Sequence, residues 1–403
     1  MTKSKNKLDY ILLVLLILSF PINLKIISFL RLIDILALGG FLYVFFRDGI
    51  AIDRQFIKII FFIIALVISS FVGINSVGEI NRSGIFFTLK YIFIFAIFFQ
   101  INKFRLSSVQ IKNCCTLYNL CFLFLVIYVL FYFFVANYFG FNLPKRPSFP
   151  FTSIDENYNG DAHLFSAYLS LSSIFYFYCI QKKILKLPSF ISGSFLVLSW
   201  TSIVLTGSRT GIFILCIGFL ALFVMEISIK KIIKIIPYLI IFFIVMYLSA
   251  GYWLDYFNDK IYLLERSMNF DLISDNSSIG RINKGKQGFQ EYFAGPLVFG
   301  IGMQSTQLIW YDSSIVTILL SSGLFGFVLF CSVIYEWFFS IKKRVFTNSG
   351  KKTRNYFCVV FFCFVIANLI SEYFLVSRGL VPFAIICFFI SIEQKLAENS
   401  TNK

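Results

Sequence analysis

Arg209 stands in Leu205-Thr206-Gly207-Ser208-Arg209-Thr210-Gly211, where two apolar runs meet with almost no loop between them. Glycines on both sides admit close backbone approach. A guanidinium held there offers the planar fork that donates two parallel bonds to a phosphate. Snorkelling to lipid headgroups explains the same residue more simply, so two readings stand. The single histidine, His163, follows Asp155, Glu156 and Asp161. One imidazole with irregularly spaced carboxylates is not a metal-ligand pattern, and no metal is expected. Nor is the segment from Gly207 to Gly211 the GxSxG elbow of a serine hydrolase. Asp312, in Tyr311-Asp312-Ser313-Ser314, heads another apolar run. It is either a helix cap or a carboxylate placed to accept a proton. Asp161 with His163 competes for the second role, and a reaction with a good leaving group can dispense with a dedicated base.

Further candidates lie in the long polar stretch 251–311. A helix over 279–294 would set Arg281, Lys284 and Glu291 on one face, with Gly288 between them, and Ile282, Phe289 and Phe293 on another. Such a helix lies at a membrane interface, its apolar face toward lipid or the bundle and its basic face toward a cavity. Gly285 and Gly288 weaken it, and Gly295-Pro296 ends it. Gly300-Ile301-Gly302 then reads as a flexible turn. Trp253, Tyr256, Tyr292, Trp310 and Tyr311 supply rings that can cover sugar faces, although aromatics also gather at membrane interfaces for their own sake. Charges elsewhere need partners near hydrocarbon. Arg31 and Asp34, three apart, are expected to pair; Lys90 pairs or lines a cavity; Glu372 and Arg378 bracket one turn and pair across it.

The elements that position these residues are membrane spans. The chain has 403 residues, 58% of them apolar in the broad sense, 20% aromatic and only 14% charged, with 54 Phe. Soluble domains carry about 25% charged residues, so a soluble enzyme, a disordered chain and a nucleic-acid binder are all excluded. The pattern predicts an all-α, polytopic helical bundle, a single membrane domain over 1–403. Twelve spans are read at 9–24, 27–46, 57–73, 83–101, 113–136, 163–180, 189–206, 210–226, 232–250, 312–340, 355–373 and 379–393. With the N-terminus in the cytoplasm, 23 of the 36 basic residues fall in cytoplasmic segments or at the cytoplasmic ends of spans. The positive-inside rule therefore places both termini in the cytoplasm and the loop 251–311 outside. The nine Cys lie in or beside apolar runs and read as packing residues.

In layout the chain resembles the O-antigen polymerase and O-antigen ligase superfamily of bacterial surface polysaccharide assembly. The resemblance rests on the span count, on Arg31-Leu32-Ile33-Asp34, on Gly207-Ser208-Arg209-Thr210-Gly211, and on a long outer loop late in the chain. That loop ends Gly295-Pro296 through Gly300-Ile301-Gly302, before Ser321-Ser322-Gly323-Leu324-Phe325-Gly326. It implies a multi-pass protein of the cytoplasmic (inner) membrane that acts on undecaprenyl pyrophosphate-linked oligosaccharides. Arg209, Arg281 and, less directly, Arg146 would hold the pyrophosphate, with Lys284 beside them. Ligases place a His at the start of the span after the long loop; Asp312 stands there instead, which favours a polymerase. The implied reaction is glycosyl transfer without metal or cofactor. Cations meet the charge growing on the leaving oxygen. Membrane lipids and a chain-length regulator protein are the implied partners, and nucleic acid is not. A ligase passing glycan to a lipid acceptor is the alternative within the resemblance. A flippase for the same lipid-linked sugar is the alternative outside it, although the paired helix breaks of such transporters are not visible.

Overall fold

The computed structural model describes residues 2–22, 24–27, 30–48, 54–77, 95, 97, 100–138, 147–151, 162–185, 187–226, 276–302, 313–371 and 377–392. Among them the architecture is helical. The elements are α1 (Thr2–Ile22), a small antiparallel hairpin of β1 (Lys25–Ile27) and β2 (Leu30–Arg31), α2 (Leu32–Asp48), α3 (Arg54–Val77), α4 (Ser108–Tyr138), α5 (Ala162–Gln181), α6 (Ser189–Leu205), α7 (Arg209–Glu226), α8 (Asn276–Ala294), α9 (Ser314–Asn348), α10 (Lys351–Ile370) and α11 (Ser377–Ser391). Among the described residues five segments are long and apolar enough to cross a membrane: Arg54–Gly73, Ser108–Tyr132, Ala162–Gln181, Ser314–Thr347 and Lys351–Ile370. Of the expected spans, 232–250 and most of 83–101 lie outside the described residues. Apart from the polar α8 and from α9, which is interrupted at Gly323, the helices are apolar runs that satisfy most of their backbone bonds internally, as a low-dielectric surrounding requires.

The chain divides into two compact units. The first comprises Met1–Cys121, Asp271–Ser349 and Phe364–Lys403. Its longest seam joins α3 to α9. Lys58 Nζ meets Glu336 Oε2 at 2.7 Å, and Phe62 packs on Phe330. Ser69 Oγ donates to its own Ala65 carbonyl at 2.7 Å and lies 3.4 Å from the Ser322 carbonyl. At the unit's centre, every residue of α11 is buried. Phe383 stacks on Phe364 with ring centroids 3.5 Å apart and leans on Trp337.

One end of this unit is tied by charge. Asp9 of α1 is 0% exposed, and its carboxylate takes two bonds from Arg47 of α2, at 2.5 and 2.6 Å. It also accepts the Arg105 backbone N–H at 2.8 Å. Arg47 continues to Asp48 and to the Lys103 carbonyl. The Asp48 bond raises the Arg47 guanidinium above its ordinary value, and Arg47 holds the Asp48 carboxyl below the usual carboxylate range. The expected Arg31–Asp34 pair takes another form. Asp34 is the third residue of α2 and accepts the backbone N–H of Arg31 at 3.0 Å, which is half of a capping box.

The second unit comprises Phe122–Phe270 and Gly350–Cys363. Its core is the parallel pair α5 and α7. Ser170 Oγ donates to the Gly211 carbonyl at 2.7 Å near one end, and Phe177 meets Phe219 further along. α6 joins through Ser199 and Trp200, both hydrogen-bonded to Ser173 Oγ. Tyr356 of α10 packs on Tyr178.

Candidate functional site

Arg209 opens α7, and the turn before it is tight. The Thr206 and Gly207 amides bond back to Ser202 and Val204 of α6 at 3.1 and 2.9 Å. Gly207 takes a φ of 61°, the left-handed region that favours glycine. Thr206, Gly207 and Ser208 are buried and Arg209 is half-buried. Two residues on, Gly211 lies against Ser166 of α5 so closely that a Cβ there would sit 2.5 Å from the Ser166 Cβ. Ser166 Oγ in turn donates to the His163 carbonyl at 2.9 Å. The structure thus brings Arg209 and His163, proposed separately from the sequence, to the first turns of two adjoining parallel helices. A cation in the first turn of a helix opposes the macrodipole, whereas an anion there is favoured. The arrangement suits an anionic ligand placed between the helix start and the guanidinium.

The loop helix exists and is longer at its start than expected, Asn276–Ala294. Its apolar and basic positions differ in exposure. Ile282, Phe289 and Phe293 are exposed, Phe293 by 72%, while Lys284 and Glu291 are half-buried and Gly288 and Tyr292 are buried. Arg281 lies on this helix, three residues before Lys284. Tyr292 is not an open platform for a sugar. Its ring packs with Ile301, Val316 and Leu320, and its hydroxyl donates to the Leu297 carbonyl at 3.0 Å.

The expected flexible turn at 300–302 is instead locked. α9 breaks at Gly323, which has φ 65° and ψ −174°. The segment 297–302 fills the break with backbone bonds. Ile301 and Gly302 amides donate to the Leu320 and Ser321 carbonyls at 3.0 and 2.9 Å, and the Leu324 and Phe325 amides donate to the Leu297 and Val298 carbonyls at 2.9 and 3.0 Å. A helix interrupted in apolar surroundings leaves peptide groups that must find partners, and this strap supplies them. Gly73 of α3 closes the third side, where a Cβ would strike the Ile301 carbonyl.

The N-cap of α9 is Ser313, not Asp312. Ser314 then binds α10, its Oγ reaching Asn368 Oδ1 at 3.0 Å and the Ser371 carbonyl at 3.2 Å. Asp312, Asp161, Arg146, Trp253, Tyr311, Lys90 and Glu372 lie outside the described residues. Among the described residues no three metal-ligating side chains cluster. None of the nine cysteines is joined in a disulfide. Sequence reasoning missed the roles of Gly73 and Gly323, although Ser322-Gly323 inside an apolar run is a helix-breaking signal. It also missed the Asp9–Arg47 tie, for which the sequence carries no local sign. The fold and site define a helical membrane protein with a cationic helix start and a backbone-locked loop. Compared with known protein families and with curated proteins, the chain matches none.

Proposed function

We propose that the chain is a twelve-span protein of the bacterial cytoplasmic membrane, with both termini in the cytoplasm. On this reading it joins oligosaccharide repeat units carried on undecaprenyl pyrophosphate by glycosyl transfer at the outer face, as an O-antigen or capsule polymerase. The observation that carries the reading is Arg209. It is a guanidinium held in the first turn of α7 by a left-handed glycine and by the close fit of Gly211 on α5. A lipid pyrophosphate is the leaving group of such a transfer, and cations stabilise the charge that grows on it. Arg281 and Lys284 on the loop helix are the further cations offered to that chemistry, and Asp312 or His163 with Asp161 the candidate proton acceptors.

The test is deletion of the gene in its host, with the surface polysaccharide displayed on a gel. A ladder collapsing to a single repeat is the expected result. Long chains left unattached to their lipid would replace polymerase with ligase. Absence of any exported repeat would replace it with a flippase, and an unchanged ladder would overturn the reading.

A further inference from the structure

α8 presents three kinds of surface around its circumference. Gly288 and Tyr292 are buried, and Lys284 and Glu291 beside them are half-buried. Asn283, Gln287 and Gln290 are exposed and polar, and Gln287 Nε2 donates to Glu291 Oε1 at 2.8 Å. Ile279, Ile282, Phe289 and Phe293 are exposed and apolar. At 3.6 residues per turn these four fall along one side of the helix, and Lys286 stands exposed among them. A covered side, a wet side and an apolar side are what a helix lying in the plane of a membrane interface requires.

The apolar stripe continues beyond α8, through Leu297 and Val298 of the segment 297–302, exposed by 43% and 55%. Their carbonyls accept the amides of Leu324 and Phe325, the first residues of α9 after its break. Both of these are exposed, and so is Val328 one turn on. Every residue of α9 from Ser314 to Gly323 is buried or half-buried, so the open side of α9 begins where the stripe reaches it. That side belongs to a segment long and apolar enough to cross a membrane, and lipid is what faces it. The depth agrees. The apolar segment Arg54–Gly73 of α3 has 20 residues, ~30 Å of helix, which matches the hydrocarbon of a bilayer. Gly73, its last residue, packs on the Ile301 carbonyl, so 297–302 sits at the edge of the hydrocarbon and α8 joins it at that level.

We infer that α8 docks on the lipid leaflet at the Gly73 end of α3, and that anionic phospholipid is its partner there. Ile279, Ile282, Phe289 and Phe293 enter among the acyl chains, and Lys286 extends from the stripe to the phosphate layer. α8 carries Arg281, Lys284 and Lys286 against Glu291 alone, so its charge fits a negative leaflet. A second copy of the chain seated on the stripe would strand Lys286 in an apolar contact, whereas a headgroup layer receives it. The inference needs a membrane and does not rest on the polymerase reading.

The experiment uses the full chain in nanodiscs, with a tryptophan added on either open side of α8, Phe293→Trp or Gln290→Trp, and its fluorescence read as the increment over wild type. Phospholipid brominated on its acyl chains quenches rings among the chains, and acrylamide quenches rings in water. Phe293→Trp should be quenched by the brominated lipid and little by acrylamide, and Gln290→Trp the reverse. Phe289→Trp, on the same stripe, gives the reading if Phe293→Trp does not fold. Brominated phosphatidylglycerol should quench the stripe tryptophan up to about fivefold more strongly than brominated phosphatidylcholine at equal mole fraction, and Lys286→Gln should remove most of that difference. Acrylamide quenching of Phe293→Trp in place of lipid quenching overturns the docking. Quenching by neither also overturns it, and gives the stripe to a second copy or to another part of this chain. Equal quenching by the two lipids while Lys286 is present, or an undiminished difference in Lys286→Gln, overturns the anionic partner read through Lys286.

Discussion

Gly300 and Gly323 meet main chain to main chain: a Cβ on either one would collide with the backbone nitrogen of the other. Both carry positive φ, 72° and 65°. The strap 297–302 can replace the missing turn of α9 only because neither residue has a side chain. Gly300→Ala and Gly323→Ala should each destabilise the protein, by about 1–3 kcal/mol from the strained backbone alone and by more from the collision. Because both changes break the same four backbone bonds, the double variant should melt little below the worse single one. Melting in detergent checks this, and single variants with wild-type stability would show that the clasp does not form.

Gly280 and Gly285 of α8 are different, since a Cβ at either meets nothing within 4 Å. Alanine there should stabilise the helix by up to about 1 kcal/mol per site. A lower melting temperature for Gly285→Ala would mean that this face of α8 is covered, contrary to the orientation that exposes Ile282 and Phe289.

Much of this was legible in the residues and some could not be. Apolar run length located α3, α5, α6, α7, α10 and α11 to within a few residues, because a helix in apolar surroundings needs only its own backbone partners. The spacing on 279–294 separated the apolar from the basic positions of α8, but which of them the fold covers was not legible there. The clasp was hidden for a physical reason. Gly300-Ile301-Gly302 and Ser322-Gly323 each look like local flexibility, and only the pairing of segments some twenty residues apart turns two weak points into one rigid one. The Asp9–Arg47 contact was hidden likewise, because the two residues stand 38 apart in the chain and neither carries a local sign of the other.

The Asp9–Arg47 tie is buried, with side-chain exposures of 0% and 4%. Breaking such a pair from one side strands the other charge. Asp9→Leu should therefore cost about 3–5 kcal/mol, moderated here by the bonds Arg47 keeps to Asp48. The double change Asp9→Leu with Arg47→Met should recover most of that loss, since a well-packed apolar pair often replaces a buried ion pair without penalty. Equal loss in the single and double variants would assign the tie a role other than charge balance.

Asp48 supplies a pH dependence. Hydrogen bonding from Arg47 lowers its carboxyl below the ordinary 3.8, against the opposing effect of burial. A depressed folded-state value means that the unfolded chain takes up the proton first. The contribution is therefore present above the unfolded value and is lost as pH falls through the folded one. Between about pH 5 and 8 this group should add no slope to stability, and below that it should steepen acid unfolding. Asp48→Asn removes its share of the acid limb. An acid limb identical in wild type and Asp48→Asn would show that the Arg47 bond does not persist in solution.

Gly211 gives the most direct handle on Arg209. An added Cβ would sit 2.5 Å from the Ser166 Cβ and 2.9 Å from the Ser166 carbonyl carbon, so Gly211→Ala must push the first turn of α7 away from α5 and carry Arg209 with it. On the proposed function, polymer output per folded protein should fall. Arg209→Lys, which keeps charge but loses the bidentate fork, gives the scale. A charge-assisted hydrogen bond contributes ~1.5–3 kcal/mol, equivalent to a rate loss on the order of tenfold to a hundredfold. Ser166→Gly removes the Cβ and Oγ that Gly211→Ala strikes but leaves the carbonyl carbon, so the pair should recover part of the lost output. In the Arg209→Ala background that recovery should vanish, because no guanidinium remains to reposition. Recovery of the same size with and without Arg209 would mean that Gly211 serves helix packing alone, and Arg209 would then keep only its snorkelling role.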